Sequence, residues 1–517
     1  MMKVFFIFFI FIASLGIISG ANILGVFPVN GMSHWIVYES ILKTLAARGH
    51  NITVITSFPQ KSPVPNYIDI DVSNILPHDV NSMNMDLVQN VISNVHLNQK
   101  FIAQHQLELC QGLIKNPHVQ DLLQSDIKFD AVFTEIFGAD CDVGFAYHFK
   151  APLLSVMSSY PLPWSYNRIG GPDNPSYIPT IVTKAVGKMN FKQRVINTIY
   201  YIYFKIAWKI FSEWPADKFL KEIFGHNTPY INDIIYNTSM IFTNSHFSFD
   251  GARPLVPNMV EIGGIHIQPP KKIPRNILKF IEESPNGVMI FTFGSMVRVS
   301  TISKHILQIF KDVFSKLPIR VLWKYEKEMP DKPDNVFISP WLPQRDILSH
   351  SKVRIFMTHG GLIGTIEAIH SGVPVIGIPL FFDQLGNILK LVNQGSGILL
   401  DYESITKDSL YNAIMTMINN NSYFMNAQKL SQRYKDRPLN PTETVIYWTE
   451  YIIKHKGARH LQTAAIDMPW WKYFLIDTIS FIVLFVCLVL YLIYVVLKSM
   501  YRFFTKKVIL KNKINQN

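Results

Sequence analysis

The sequence predicts an α/β protein in which two Rossmann-like domains face a cleft, with a transmembrane helix towards the C-terminal end. Three observations carry that expectation. Apolar runs of strand length alternate with segments of helical spacing in two series. A Gly- and Pro-rich break at Gly263-Gly264 and Pro269-Pro270 separates the series, and Ile479 to Leu497 contains no charged residue. At 517 residues the chain also exceeds what one hydrophobic core usually organises.

In chain order, residues 1–21 read as a secretory signal: Lys3, an apolar run from Val4 to Ile18, then the small residues Ser19, Gly20 and Ala21. The first domain, 22–265, opens with a βαβ unit. Asn22 to Phe27 is a strand, His34 to Ala47 has helical spacing, and Ile52 to Ser57 is the second strand. Further strands are expected at Phe129 to Thr134, Pro152 to Met157 and Ser239 to Thr243. Within it, Phe191 to Trp214 mixes aromatic residues with Lys192, Arg194, Lys205 and Lys209. That mixture fits two descriptions equally, a helix lying in a membrane interface or a packed helix whose lysines reach back to water.

The second domain, 275–455, carries strands at Gly287 to Phe293, Arg320 to Trp323, Val336 to Ser339, Val353 to Thr358 and Val373 to Ile378. Residues 474–497 then suffice to span a bilayer, bordered by Trp470, Trp471 and Tyr473. The tail at 498–517 is basic and expected in the cytosol, giving a single-pass type I topology with the domains in the lumen.

The formal net charge of +12 does not imply nucleic acid, because Lys498, Arg502, Lys506, Lys507, Lys511 and Lys513 supply much of it and no basic block occurs elsewhere. Cys487 falls in the span, leaving Cys110 and Cys141 as the lumenal pair, from which no disulfide scaffold or zinc site follows. Asn51, Asn237 and Asn420 head glycosylation sequons.

Open parallel sheets bind ligands beyond the carboxyl ends of their strands, so the loops after the second-domain strands carry the chemistry. They are Gly294-Ser295, Trp341-Leu342-Pro343-Gln344, His359-Gly360-Gly361 and Asp383-Gln384. Gly360 and Gly361 allow an oxyanion to approach backbone N–H groups at a helix start, and His359 adds a donor. Trp341 offers a flat face to a base, Gln344 can read an amide edge, Glu367 can accept from ribose hydroxyls, and Asp383 and Gln384 can hold a hexose. Each residue alone is weak evidence. Their order at successive strand ends is what points to a nucleotide diphosphate sugar.

The segment FMTHGGLIGTIEAIHSGVPVIGIPLFFDQLGN, residues 356–387, resembles the signature of animal UDP-glycosyltransferases. The resemblance extends to SHW at Ser33 to Trp35, RPLVPN at Arg253 to Asn258, FGS at Phe293 to Ser295, WLPQ, and the anchor with its basic tail. It implies a GT-B fold with the acceptor in the first half and UDP-sugar in the second. It further implies that Trp341 and Gln344 hold uracil and ribose, Glu367 the ribose, Ser295 and His359 the diphosphate, and Asp383 with Gln384 the sugar. His34 becomes the general base, oriented by Glu135, with Asp140 as the alternative. UDP-sugar is a co-substrate, so no cofactor and no metal are implied. The other partners implied are a small lipophilic acceptor and membrane lipid, and a homo-oligomer is compatible with the family. The endoplasmic reticulum membrane is the expected location and conjugation of lipophilic compounds the expected role.

Three positions depart from the family pattern: Ile363 where Asn is frequent, Lys324 where Arg is frequent, and Glu135 where Asp is usual. UDP-glucose is preferred over UDP-glucuronate as donor, since no cation in these loops is committed to a sugar carboxylate. A non-catalytic UDP-sugar-binding protein is the alternative, which an intact His34 opposes. An epimerase would want a GxGxxG loop after the first strand, and none is there.

Overall fold

The computed structural model describes residues 20–514 apart from 93 and 182, so most of the expected signal segment lies outside the described residues. The chain divides into two compact units at Gln462 and Thr463.

The first unit holds two parallel sheets. The first is built from β1 (Asn22–Val26), β2 (Asn51–Thr56), β3 (Tyr67–Asp71), β4 (Ala131–Glu135), β5 (Leu153–Met157), β6 (Thr238–Thr243) and β7 (Met259–Glu261), in the order β3-β2-β1-β4-β5-β6-β7. The second contains β8 (Val288–Thr292), β9 (Arg320–Lys324), β10 (Val336–Ser339), β11 (Val353–Thr358), β12 (Val375–Gly377) and β13 (Gly397–Leu399), in the order β10-β9-β8-β11-β12-β13. Every residue of β4, β5, β6 and β8 is buried, as expected for strands covered on both faces. The order reverses between β1 and β4 in one sheet and between β8 and β11 in the other. Such switch points leave crevices at the strand ends.

The helices that matter to the site are α1 (Met32–Ala47), α2 (Val95–Ile114), α3 (Phe191–Trp208), α4 (Leu362–Ser371), α5 (Gln384–Asn393) and α6 (Pro441–Lys454). On α1, Tyr38, Ile41, Leu42 and Leu45 recur at helical spacing and are buried, with Tyr38 stacked on Phe27 at 4.1 Å. Gly49 adopts φ +104 just beyond α1, a conformation that a side chain would strain, and it turns the chain into β2.

Several expectations change. β3, β7 and β13 were not expected from the sequence; they are a half-exposed edge strand and two strands of three residues. The last helix of the expected second domain, α6, packs against the first sheet: Val445 and Ile452 join its core, and Arg48 Nε donates to Glu450 at 2.9 Å. Cys110 and Cys141 form a disulfide with Cα atoms 6.2 Å apart, a pairing that two cysteines 31 residues apart could not declare by themselves. It ties α2 to the loop after β4.

In the second unit, α7 (Ile476–Ile514) contains an apolar stretch, Ile476–Val508, long enough to cross a membrane. At about 1.5 Å per residue the 39-residue helix is longer than a bilayer core of about 30 Å, so it runs on past Lys498 into the basic tail rather than stopping at Leu497.

Candidate active site

His34 lies in the first turn of α1, beyond β1, and Glu135 is the last residue of β4. Pairing of β1 with β4 therefore brings together two residues 101 positions apart, on either side of the first switch point. His34 Nδ1 is 2.5 Å from Glu135 Oε1 and 2.9 Å from Ser158 Oγ, and its ring meets Phe137 edge-on at 4.5 Å. A carboxylate at Nδ1 selects the tautomer with its proton there, which leaves the lone pair on Nε2.

Glu135 is fully buried and its backbone N–H donates to Asp142 Oδ2 at 3.0 Å. Burial, reinforced by Asp140 and Glu135, pushes the Asp142 carboxyl well above the usual range. Tyr38 places its buried hydroxyl beside Glu135 and Ser158, off the line of a well-directed hydrogen bond, while Glu135 Oε2 has no aligned donor. Burial and then the Glu135 charge raise the Tyr38 pKa, so the phenol keeps its proton next to the carboxylate. Asp140, the alternative partner, is engaged elsewhere: both its oxygens accept from Arg168 Nη2 at 2.6 Å, in a fully buried pair. It does not orient the imidazole.

Across the cavity, the second switch point presents Gly294-Ser295 after β8 and His359 after β11. The His359 ring fits between two glycines. A Cβ on Gly294 would lie 2.6 Å from it and one on Gly361 2.7 Å, so Gly361 serves the ring as well as the helix start. Burial and the Lys324 ammonium hold His359 down to about 4, which makes it a neutral imidazole at physiological pH. Thr358 Oγ1 is 3.1 Å from its Nδ1.

Trp341 is 51% exposed, which rules out a core role and leaves an indole face open to the cavity it lines. Gln344 Nε2 donates to Glu367 Oε2 at 2.5 Å, so these two reach the cavity already paired. Burial pushes Glu367 up to about 7, against the opposing pull of Gln344. Gln384 Oε1 accepts from the backbone of Leu380 and Phe381 at 2.8 and 3.1 Å, which fixes its amide with Nε2 spare. Asp383 Oδ2 accepts from Asn387 Nδ2 at 2.8 Å, and the same amide donates to Gly360 O at 3.0 Å, locking two of the loops together.

Both sets of residues line one cavity of about 710 Å³, whose remaining wall mixes apolar residues such as Ile36, Leu87, Phe101 and Phe137 with polar ones such as Asn30, His78, Asp79 and His105. The loop after Pro77 crosses it. Asn81 N–H donates to Ser295 O at 2.8 Å, Met83 N–H to Met296 O at 3.0 Å, and Arg298 N–H to Met83 O at 2.8 Å. Lys324 Nζ, almost fully buried, donates to Asn81 Oδ1 at 2.7 Å and Gly294 O at 2.9 Å. The departure at Lys324 is thus a bridge between the halves. Ile363 packs against the core of the first sheet, which accounts for an apolar residue there.

Sequence reasoning did not find Ser158, Asn81 or Asn387. Nor did it find the buried Lys390–Asp250 ion pair at 2.6 Å, which stacks on Tyr160 and couples electrostatically to Asp383. Arg253, which lies over the same ring at 5.2 Å, was noted only as part of RPLVPN. Among the described residues no group of three or more His, Cys, Asp or Glu is arranged to hold a metal.

Two parallel Rossmann-like sheets with a shared cavity at their switch points make up the GT-B fold. Solved structures agree on that fold: the glycotransferase of kitacinnamycin matches with TM-score 0.55 and 15% identity, over 83% of this chain and 98% of that one. The spinosyn forosaminyltransferase matches with TM-score 0.51 and 14% identity, over 84% and 99%. The family model described as UDP-glucoronosyl and UDP-glucosyl transferase matches residues 22–511, and the chain belongs to that family of enzymes. Among curated relatives, UDP-glucosyltransferase 2 of Dactylopius coccus is 44% identical over 483 residues, 93% of each chain. UDP-glucuronosyltransferase 2B10 of Homo sapiens is 31% identical over 482 residues, 89% of this chain and 90% of that one.

Proposed function

We propose that this enzyme transfers glucose from UDP-glucose to a hydroxyl group of a small lipophilic acceptor, with inversion at the anomeric carbon. The observation that carries this reading is the pairing of His34 with Glu135 on the wall of the cavity that Trp341, His359, Glu367 and Asp383 also line. The apolar residues of that wall, Ile36, Leu87, Phe101 and Phe137 among them, suit a lipophilic acceptor.

In this reading the acceptor oxygen attacks the anomeric carbon as the bond to UDP breaks, and the acceptor proton passes to His34 Nε2. Glu135 holds the imidazole and stabilises the imidazolium that forms. Trp341 stacks on uracil and Gln344 reads its edge, while Glu367 accepts from the ribose. His359, Ser295 and the backbone at Gly361 hold the diphosphate and stabilise the departing charge without a metal. Asp383 and the spare Nε2 of Gln384 hold the sugar hydroxyls. The 44% identity to an enzyme named a glucosyltransferase, against 31% to one named a glucuronosyltransferase, favours glucose.

Anchoring by α7 in the endoplasmic reticulum membrane, domains in the lumen, fits conjugation of compounds that partition into lipid. The test is incubation of the full-length protein in microsomes with radiolabelled UDP-glucose or UDP-glucuronate, a phenolic acceptor panel, and EDTA. Labelled product from UDP-glucose, undiminished by chelation and of inverted configuration, is expected. Transfer only from UDP-glucuronate, or a retained configuration, overturns the assignment.

A further inference from the structure

The helix α3 runs on through Lys209–Glu213 into Trp214–Phe224, and its apolar residues point the wrong way for an ordinary packed helix. Phe191, Val195, Ile199, Ile202, Ile206, Ile210 and Trp214 recur every three or four residues, and each is between 42% and 75% exposed. The buried side carries Asn197, Ala207 and Ser212 beside Phe204 and Trp208, with Trp208 stacked on Trp164 at 4.7 Å. Asn197 is wholly internal, accepting from Thr180 N–H and donating to the carbonyls of Pro175 and Ile178. Single exposed isoleucines need no explanation, but an unbroken stripe about 36 Å long does.

The description of this segment as a packed helix with lysines reaching back to water fails at one of its lysines. Lys205 turns inward to Asp173 and Asn167, at 2.5 and 2.6 Å. Lys192, Arg194 and Lys209 are exposed, whereas the one acid between Phe191 and Trp214, Glu213, is buried against Tyr230. The outer surface of the segment therefore carries cations and isoleucines and no anion.

We propose that this stripe is a lipid-contact surface, which enters the headgroup–acyl boundary of a bilayer and lets its flanking cations meet anionic headgroups. Two observations select lipid over a second copy of the chain. The same chain carries an apolar stretch, Ile476–Val508, long enough to cross a membrane, which supplies a bilayer for the stripe to meet. A symmetric pairing of two such stripes would also set cation against cation, a cost that an anionic leaflet reverses. The surface is independent of the donor and acceptor assignments above.

The test uses the full chain in phosphatidylcholine vesicles containing a minority of phosphatidylserine. Bimane is placed by Ile199→Cys, Ile206→Cys or, away from the stripe, Met425→Cys, each with Cys487→Ser. Lipids brominated in their acyl chains should quench the labels at 199 and 206 several-fold more than the label at 425, and aqueous iodide should do the reverse. Iodide quenching at 199 and 206 equal to that at 425 overturns the proposal. So does protection from iodide without quenching by lipid, rising with protein density, because a second copy would then be the cover. In a chain carrying Ile199→Asp and Ile206→Asp that still binds UDP, a label introduced by Ile202→Cys should regain iodide access. Unchanged protection of that label also overturns it.

Discussion

The two halves of the cavity are built on different plans. On the side of the second sheet, polar side chains meet the cavity already paired with one another or with backbone: Gln344 with Glu367, Asp383 with Asn387, Gln384 with its own loop. On the side of the first sheet, apolar residues such as Ile36, Leu87, Phe101 and Phe137 are interspersed with polar ones such as Asn30, His78, Asp79 and His105, and His34 is backed by Glu135. A preorganised polar surface suits a ligand that does not vary, whereas a wall of mixed character around one fixed histidine accepts many shapes. Selectivity for the donor should therefore reside in named hydrogen bonds, and selectivity for the acceptor in the volume and outline of the cavity.

Substitutions can break that division. His34→Ala should lower single-turnover chemistry by about 10²- to 10⁴-fold while UDP affinity by calorimetry stays unchanged, and Glu135→Gln should follow the same pattern less severely. Normal chemistry in His34→Ala would remove the first half's part in the reaction. Asp140→Asn should act on the fold instead. It leaves the Arg168 charge buried without its counter-charge, a loss of about 3 to 5 kcal/mol that thermal unfolding would detect. A normal melting temperature with slowed chemistry would return Asp140 to the site.

Trp341→Ala should weaken UDP binding by about 1 to 3 kcal/mol and leave the acceptor KM alone. A changed acceptor KM would mean that the halves share more than a boundary. The subtlest effect concerns Glu367, which burial holds protonated up to about 7. Ribose hydroxyls donating to the carboxylate favour its ionised form and lower that pKa. UDP binding should then expel a proton below pH 7, and affinity should climb as pH rises towards that value and level off above it. The slope cannot exceed about tenfold per pH unit, or 1.4 kcal/mol. Calorimetry in buffers of different ionisation enthalpy measures the release, and Glu367→Gln should abolish it apart from the contribution of the nucleotide phosphate.

The same asymmetry governs what could be read from the sequence. Strands such as VMIFT and VRIFMT are buried on both faces, so their apolar runs announce them, and the polar residues that follow fall at strand ends by construction. β3, with YIDID at a half-exposed edge, gives no such run. The proximity of His34 to Glu135 was expected from the resemblance, in which an acid after the strand ending near Thr134 pairs with the histidine. Ser158 was not, because only the packing of β4 against β5 brings it to a ring 124 residues away. Asp140 was the alternative to Glu135 on paper, and in the structure Arg168 engages it.

The strap from Asn81 to Met83 carries a further consequence. It is hydrogen-bonded to the loop, Ser295 to Arg298, that leads out of the second switch point, and it also contributes Met83 to the cavity wall. If a donor shifts that loop, the strap has to follow or give up its hydrogen bonds, and equilibrium linkage then requires any effect on acceptor affinity to be returned on donor affinity by the same factor. A preferred order of substrate addition, if kinetics reveals one, is then a matter of rates. The heterotropic coupling itself is reciprocal, and its size can be obtained from either ligand by titrating with the other present or absent.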